Sequence, residues 1–338
     1  MAPRGRKAKA QGEKPALSSG LVNALKFISV AQKDQGQLSE THCVLSNNYA
    51  IAFNGVIAAG HRIDEDLSAC PQTNKLIAAL ERCGESLSIT QLDGERLSIK
   101  SEKFKAVVPC AGTAQIQTTQ PDYPCATIND KLKEGFSVVS QLVKDTGPSV
   151  VEASLLLQAG SMVSTNRHVM LEYWHGIDLP PNMAIPKASA IAVAKTTKPL
   201  VKLGFCERSV TFWFEDDSWI KTQQYAEPWP DVAKVLNVAS NPWPIPPTFF
   251  HGLDAVSPFC DEGKLYFLKN KLCSHDVENV GASYEVDGIP EGPVFNPKYL
   301  KLCEPYMQKV DFIGRNGVAY FFGENVRGAI CGIVNSGR

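Results

Sequence analysis

The chain has 338 residues, of which 44% are hydrophobic, 20% charged and 9% aromatic. That balance suits a globular chain of two or three domains and excludes a fibrous or wholly disordered one. The formal net charge is −1, so a broadly basic body that wraps nucleic acid over its whole surface is also excluded.

No apolar run reaches about 18 residues, and no N-terminal stretch pairs a basic region with an apolar one. Neither a membrane span nor a signal peptide is therefore expected. Ten cysteines are scattered along the chain, none in a C-x-x-C pair. A structural zinc site has no support, and the expected setting is a reducing cytoplasm in which cysteines act as small hydrophobes.

Residues 1–17 read as a basic, disordered tail. Arg4, Arg6, Lys7, Lys9 and Lys14 stand there against Glu13. With these set aside, 29 basic and 34 acidic residues remain, a formal −5. The tail is either a solubilising segment or a weak DNA-binding arm acting on phosphate.

A helix is predicted next, with Leu21, Val22, Leu25 and Ile28 on one face. A strand pair follows at Cys43–Phe53. Cys70-Pro71 then leads into a second helix, Gln72–Cys83. A hairpin closes the unit, with Leu87–Leu92 and Arg96–Val108 flanking Asp93-Gly94.

The same order returns twice. Asp130–Asp145 carries Leu132, Phe136, Val139 and Val143 on one stripe, Met162–Leu171 is the strand pair, and Ile185-Pro186 leads into a helix over Lys187–Leu203. Val210–Phe214 and Trp219–Thr222 flank Asp216-Asp217. In the third unit Thr248–Cys260 is a helix interrupted by Pro258, and Leu265–Leu268 with Ala282–Val286 are strands. Asn296-Pro297 opens Lys298–Met307, and Val310–Ile313 with Val318–Phe322 flank Asn316-Gly317. Proline suits the first helical position, where its missing donor costs nothing. The reading is a tail followed by three α+β units at 18–125, 126–241 and 242–338, each with two helices on an antiparallel sheet.

This order resembles the bacterial beta sliding clamp family over essentially the whole chain after the tail. Ser164-Thr165-Asn166-Arg167-His168-Val169 is similar to a Thr-Asp-Gly-His-Arg-Leu motif of that family. Ile185-Pro186-Lys187 is similar to its Val-Pro-Arg, and Trp229-Pro230-Asp231 with Lys234-Val235-Leu236 to its Phe-Pro-Asp-Tyr segment and the basic-apolar stretch after it. Phe295-Asn296-Pro297-Lys298-Tyr299-Leu300 is similar to its Phe-Asn-Ala-Lys-Tyr-Leu, and Leu97-Ser98-Ile99-Lys100-Ser101 to its Leu-Thr-Ile-Lys-Ser. On this reading Asn166 replaces the family's glycine. The C-terminal segment Ala329–Val334 departs from the family's Met-Pro-Met-Arg-Leu type ending.

The resemblance implies three repeated DNA-clamp domains that form a ring on oligomerisation, a head-to-tail homodimer. It implies a non-catalytic processivity factor in DNA replication, without cofactors, that holds a polymerase and a clamp loader through short peptide motifs. Sequence-independent contact with duplex DNA calls for flexible charges aimed at phosphate. The expected DNA-facing residues are Lys26, Lys33, Lys75 and Arg82 in the first unit. In the second they are Lys131, Lys133, Lys187, Lys195, Lys198 and Lys202, and in the third Lys298 and Lys301. The expected partner pocket holds Arg167, His168, Val169, Asn237, Ile330, Cys331 and Ile333. Candidate sheet edges for ring closure are Phe104–Val108 and the strands around Lys264–Lys271.

Two other classes stay open. One is a DNA-binding coactivator that reuses the fold, although no helix-turn-helix or zinc signature supports base readout. The other is a thiol-dependent enzyme using Cys43 beside His42 or Cys273 near His275. The six histidines show no metal spacing, and no Walker loop, G-x-S-x-G or G-x-G-x-x-G occurs.

Overall fold

The computed structural model describes residues 17–84, 86–143, 149–180, 182–277 and 280–334. The expected tail up to residue 16 lies outside them. The chain divides into two compact units. One runs to Pro121 and includes Trp213–Lys221; the other comprises Asp122–Phe212 and the chain from Thr222 onward. No helix among the described residues is long and apolar enough to cross a membrane.

In the first unit, helix α1 (Leu17–Ile28) buries Leu21, Leu25 and Ile28, the face its periodicity picked out. It packs against α2 (Thr73–Leu80), which buries Leu76 and Leu80. Strands Val44–Ser46 and Tyr49–Phe53 join through Asn47-Asn48, with φ of 51° and 58°. Asparagine tolerates that left-handed pair, which matches the twist of a hairpin. The next strand, Ile57–Arg62, lies so close to Trp219 that a Cβ on Gly60 would sit 2.3 Å from the indole. Only glycine allows that approach.

A second sheet in this unit runs in the order Cys70–Pro71, Phe104–Ala111, Arg96–Ser101, Ser88–Leu92. The long strand expected at Arg96–Val108 is in fact two strands, turning at Glu102 with φ of 41° and pairing Ser101 with Phe104.

In the second unit, α3 (Lys131–Val139) packs on α4 (Lys187–Ala194). Gly135 lets α3 lie on the sheet, since a Cβ there would meet Met162 and Tyr173 at 2.7 Å. Helix α4 stops well short of the expected Leu203. Lys198 precedes Pro199, which disfavours the helical conformation, and Leu200–Cys206 is a strand whose Leu200 N–H donates to Asp130 Oδ1 at 2.9 Å. Lys198 and Lys202 are therefore off the helix that was expected to carry them.

Helices α5 (Phe249–Val256) and α6 (Pro297–Cys303) follow, each ending in a proline-bearing 3-10 turn. Proline occupies the first helical position only in α6, where the Asn296 side chain also accepts from Lys298 N–H at 3.0 Å. Pro71 and Pro186 instead end strands just before their helices. Their fixed φ serves the strand exit there.

Eight antiparallel strands form the main sheet of this unit. In order they are Met183–Pro186, Ser154–Leu157, Ser161–Thr165, Val169–Trp174, Val326–Cys331, Val318–Phe322, Lys309–Asp311 and Trp243–Pro244. The central seam pairs Val169 with Ile330 and Glu172 with Arg327. A smaller sheet runs Ser283–Glu285, Lys271–Cys273, Leu265–Leu268, Val294–Phe295. Lys271–Cys273 was not anticipated; it pairs through Lys269-Asn270, another left-handed turn. Leu265–Leu268 is flanked on both sides, so it is no free edge; the outer strands are Ser283–Glu285 and Val294–Phe295. Phe249, Phe267, Phe295 and Phe312 fill the core between α5 and this sheet at centroid distances of 5.0 to 5.9 Å.

Candidate nucleic-acid and partner interface

The expected DNA-facing side chains fall into two groups. Lys26 pairs with Glu81 at 2.6 Å, Lys33 with Glu40 at 2.6 Å, and Lys133 with Asp130 at 2.8 Å. Lys301 is held between Asp254 and Glu304 at 2.7 and 2.8 Å, which pushes its pKa up. These cations are partly neutralised. Among the described residues, Lys75, Arg82, Lys131, Lys195, Lys202 and Lys298 are exposed and make no ion pair. Lys187 and Lys198 are half-buried. Lys75 and Arg82 lie on or just after α2 of the first unit. Lys131, Lys195 and Lys298 lie at the ends of α3, α4 and α6 in the second, while Lys202 stands on a strand.

The expected pocket residues separate. Val169 and Ile330 are paired across the seam, 1% and 0% exposed, and belong to the core rather than to an open pocket. Their neighbours Met170 and Ala329 point to the other face of the sheet, as strand alternation requires. There Leu156, Val163, Met170, Tyr320 and Ala329 pack under Val232 and Leu236, with Trp229, Val235 and Val238 against them.

Arg167, His168 and Cys331 do come together at one end of the seam. Cys331 N–H donates to His168 O at 2.8 Å, and the His168 ring stacks on Tyr299 at 4.9 Å. Tyr299 was not among the expected pocket residues, although it stands in the quoted Asn-Pro-Lys-Tyr helix start. The Asn166 side chain accepts from His168 N–H and Val169 N–H at 3.0 and 2.8 Å. Arg167 takes φ of 74°. The position that favours glycine is thus Arg167, not Asn166, so the motif runs Thr165 to Met170, one residue later than read. Arg167 Nε lies 2.9 Å from Glu152 Oε2, and Glu152 is 1% exposed.

Ile333 donates its N–H to Val294 O at 2.7 Å and lines a separate hollow of about 480 Å³ with Phe312, Ile313 and Val334. Asn237 lines a different groove, with Trp229, Asp231 and Arg327.

The thiol candidates lack activation. Burial pushes the Cys43 thiol up to about 12, and burial also holds His42 below the usual histidine range. A nucleophilic cysteine needs the opposite shift. Cys273 is 1% exposed.

No protein-family model and no curated protein matches the chain. Solved structures do. A DNA polymerase sliding clamp from Pseudomonas aeruginosa superposes with a TM-score of 0.77 at 10% identity, over 94% of this chain and 98% of that one. The beta subunit of DNA polymerase from Streptococcus pyogenes gives 0.75 at 14%, and a Helicobacter pylori beta clamp bound to a DNA ligase peptide gives 0.71 at 14%, both with the same coverage. The chain has the beta sliding-clamp fold. Both units contribute helix pairs to that clamp fold: α1 with α2 in the first, and α3 with α4 and α5 with α6 in the second. The match spans nearly all of both chains.

Proposed function

We propose that this chain is a DNA sliding clamp: a non-catalytic subunit that encircles duplex DNA without reading its sequence and holds a replicative polymerase on it. The observation that carries this reading is the clamp fold over 94% of the chain. Helix-borne cations without acidic partners support it, because a sliding contact needs mobile charge on phosphate and no base-specific grip. On this reading three modules, 18–125, 126–241 and 242–338, present Lys75, Arg82, Lys131, Lys195 and Lys298 to DNA in the cytoplasm, and a clamp loader opens the ring.

A ring of two copies is a head-to-tail arrangement that must close. Strand Phe104–Ala111 offers one edge. It pairs with Arg96–Ser101 along one side, and its other side is taken by residues 70–72 at its far end, 109–111. Lys103, Lys105 and Val107 are exposed along it. The outer strand Ser283–Glu285 offers the other edge, with Asp287 exposed just beyond it and Glu285 exposed and only loosely paired with Lys271 at 4.0 Å. Opposite charge and an unpaired edge on each side suit strand addition between copies.

The partner site we propose is the end of the seam where Arg167, His168, Tyr299 and Cys331 meet, taking an extended peptide of a polymerase or loader. Sedimentation equilibrium of the full chain tests the ring. About twice the chain mass is expected, and a monomer at every concentration would contradict closure by two copies.

A further inference from the structure

A second groove lies on the same unit, on the side of the 229–238 segment that carries Asn237. It encloses about 840 Å³. Its walls are aromatic and fixed. Trp174 is 40% exposed and covers the Arg327 guanidinium at 4.9 Å. Arg327 is itself anchored by Glu172 Oε2 at 2.7 Å and Leu236 O at 3.4 Å. Trp229 donates its indole N–H to Ser154 Oγ at 3.0 Å. Tyr225 is 38% exposed, and its backbone N–H is tied to Ala184 O at 2.9 Å.

The Trp174 and Trp229 rings, held this way, lose little freedom when a ligand arrives, which lowers the cost of binding. Spaced aromatic walls are the surface that polyproline segments use, because their helix is preformed and its prolines fit between rings. The charge in the groove is one-sided. Glu172, Glu227 and Asp231 line it against the single guanidinium of Arg327. Glu227 and Asp231 are exposed, and the nearest cation to Asp231 is Lys234, loosely placed at 3.9 Å.

We propose that this groove docks an extended, proline-bearing basic segment of another protein, with prolines against Trp174, Tyr225 and Trp229 and a cationic side chain over Glu227 and Asp231. The inference does not depend on ring closure or on the seam-end site.

The test uses the full chain and three labelled peptides, made of Arg-Pro-Pro, Arg-Gly-Gly or Glu-Pro-Pro repeats, followed by fluorescence anisotropy. Arg-Pro-Pro is expected to bind about tenfold tighter than either control. Tyr225→Ala, Trp174→Ala and the paired change Glu227→Lys with Asp231→Lys are each expected to weaken it about tenfold, and Trp174→Phe to restore most of the loss. Thermal melting checks folding; Tyr225 and Glu227 are exposed, so those variants keep the test valid if Trp174→Ala unfolds. Equal binding of Arg-Gly-Gly would reduce the groove to non-specific charge attraction and overturn the proposal. So would binding that survives the Tyr225 and Glu227–Asp231 changes, or no binding of Arg-Pro-Pro at all.

Discussion

Arg167 adopts a left-handed backbone, φ 74°, without being glycine, a conformation that costs on the order of 1 kcal/mol or more. Its ion pair with buried Glu152 offsets that cost. Arg167→Gly would relieve the backbone but take the guanidinium from a carboxylate that is 1% exposed, leaving Ser149 Oγ still donating to it at 3.3 Å. The net expectation is a loss of roughly 1–3 kcal/mol, below the value of a fully buried pair because the guanidinium is 60% exposed. Adding Glu152→Gln should recover most of the loss in urea unfolding, and simple additivity of the two changes would show that the residues are not coupled. His175 sets a pH dependence. It is 1% exposed, burial pushes its pKa below 6.5, and its Nδ1 accepts from Ile177 N–H, which requires a neutral ring. The unfolded chain therefore binds the extra proton first. The stability this histidine contributes is full above pH 6.5 and is lost as pH falls through the lower folded value. Melting temperature should fall over that window, and His175→Gln should flatten the fall; an unchanged slope would place the titration elsewhere. Sequence located the seam-end residues Arg167 and His168 but set the motif one position early, because only φ tells which residue takes the turn.

Among the elements, apolar stripes and turn residues were the legible part. The stripe Leu21, Leu25 and Ile28 is buried as expected, and the Asn316-Gly317 turn takes φ of 59° and 71°. Ends were harder to see. Small and apolar residues fill both ends of Lys187–Leu203, and the short polar stretch 195–198 with Pro199 separates α4 from the strand after it. Val169 and Ile330 fell on the core face because strand parity depends on register, and a shift of one residue exchanges the faces. The aromatic core under α5 makes its own prediction. Phe312 is 1% exposed and contacts three other phenylalanine rings. Phe312→Ala should cost about 3–5 kcal/mol. A loss under 1 kcal/mol in chemical denaturation would mean that this core is loosely packed.

At the scale of the molecule, the sequence showed a repeated order of elements well before any single motif was decisive. The clamp fold over 94% of the chain agrees with that order at identities of only 10–14%. Buried faces and turns can be kept while almost every side chain changes, which is why the fold was legible and the charged surface was not. Of the twelve cations named beforehand, several are held by acids, and that depends on neighbours far away in sequence. Changing Lys131, Lys195 and Lys298 together to Glu should leave melting unchanged and weaken retention on DNA at moderate salt, with a shallower salt slope. Loss of melting cooperativity would instead give these lysines a structural role.

Encirclement makes a demand that no ordinary DNA affinity can meet. The chain, loaded onto nicked circular duplex and washed at high salt, should stay on the circle and leave when a single cut makes the DNA linear. Equal retention on circular and linear DNA, or equal loss from both, would contradict the account.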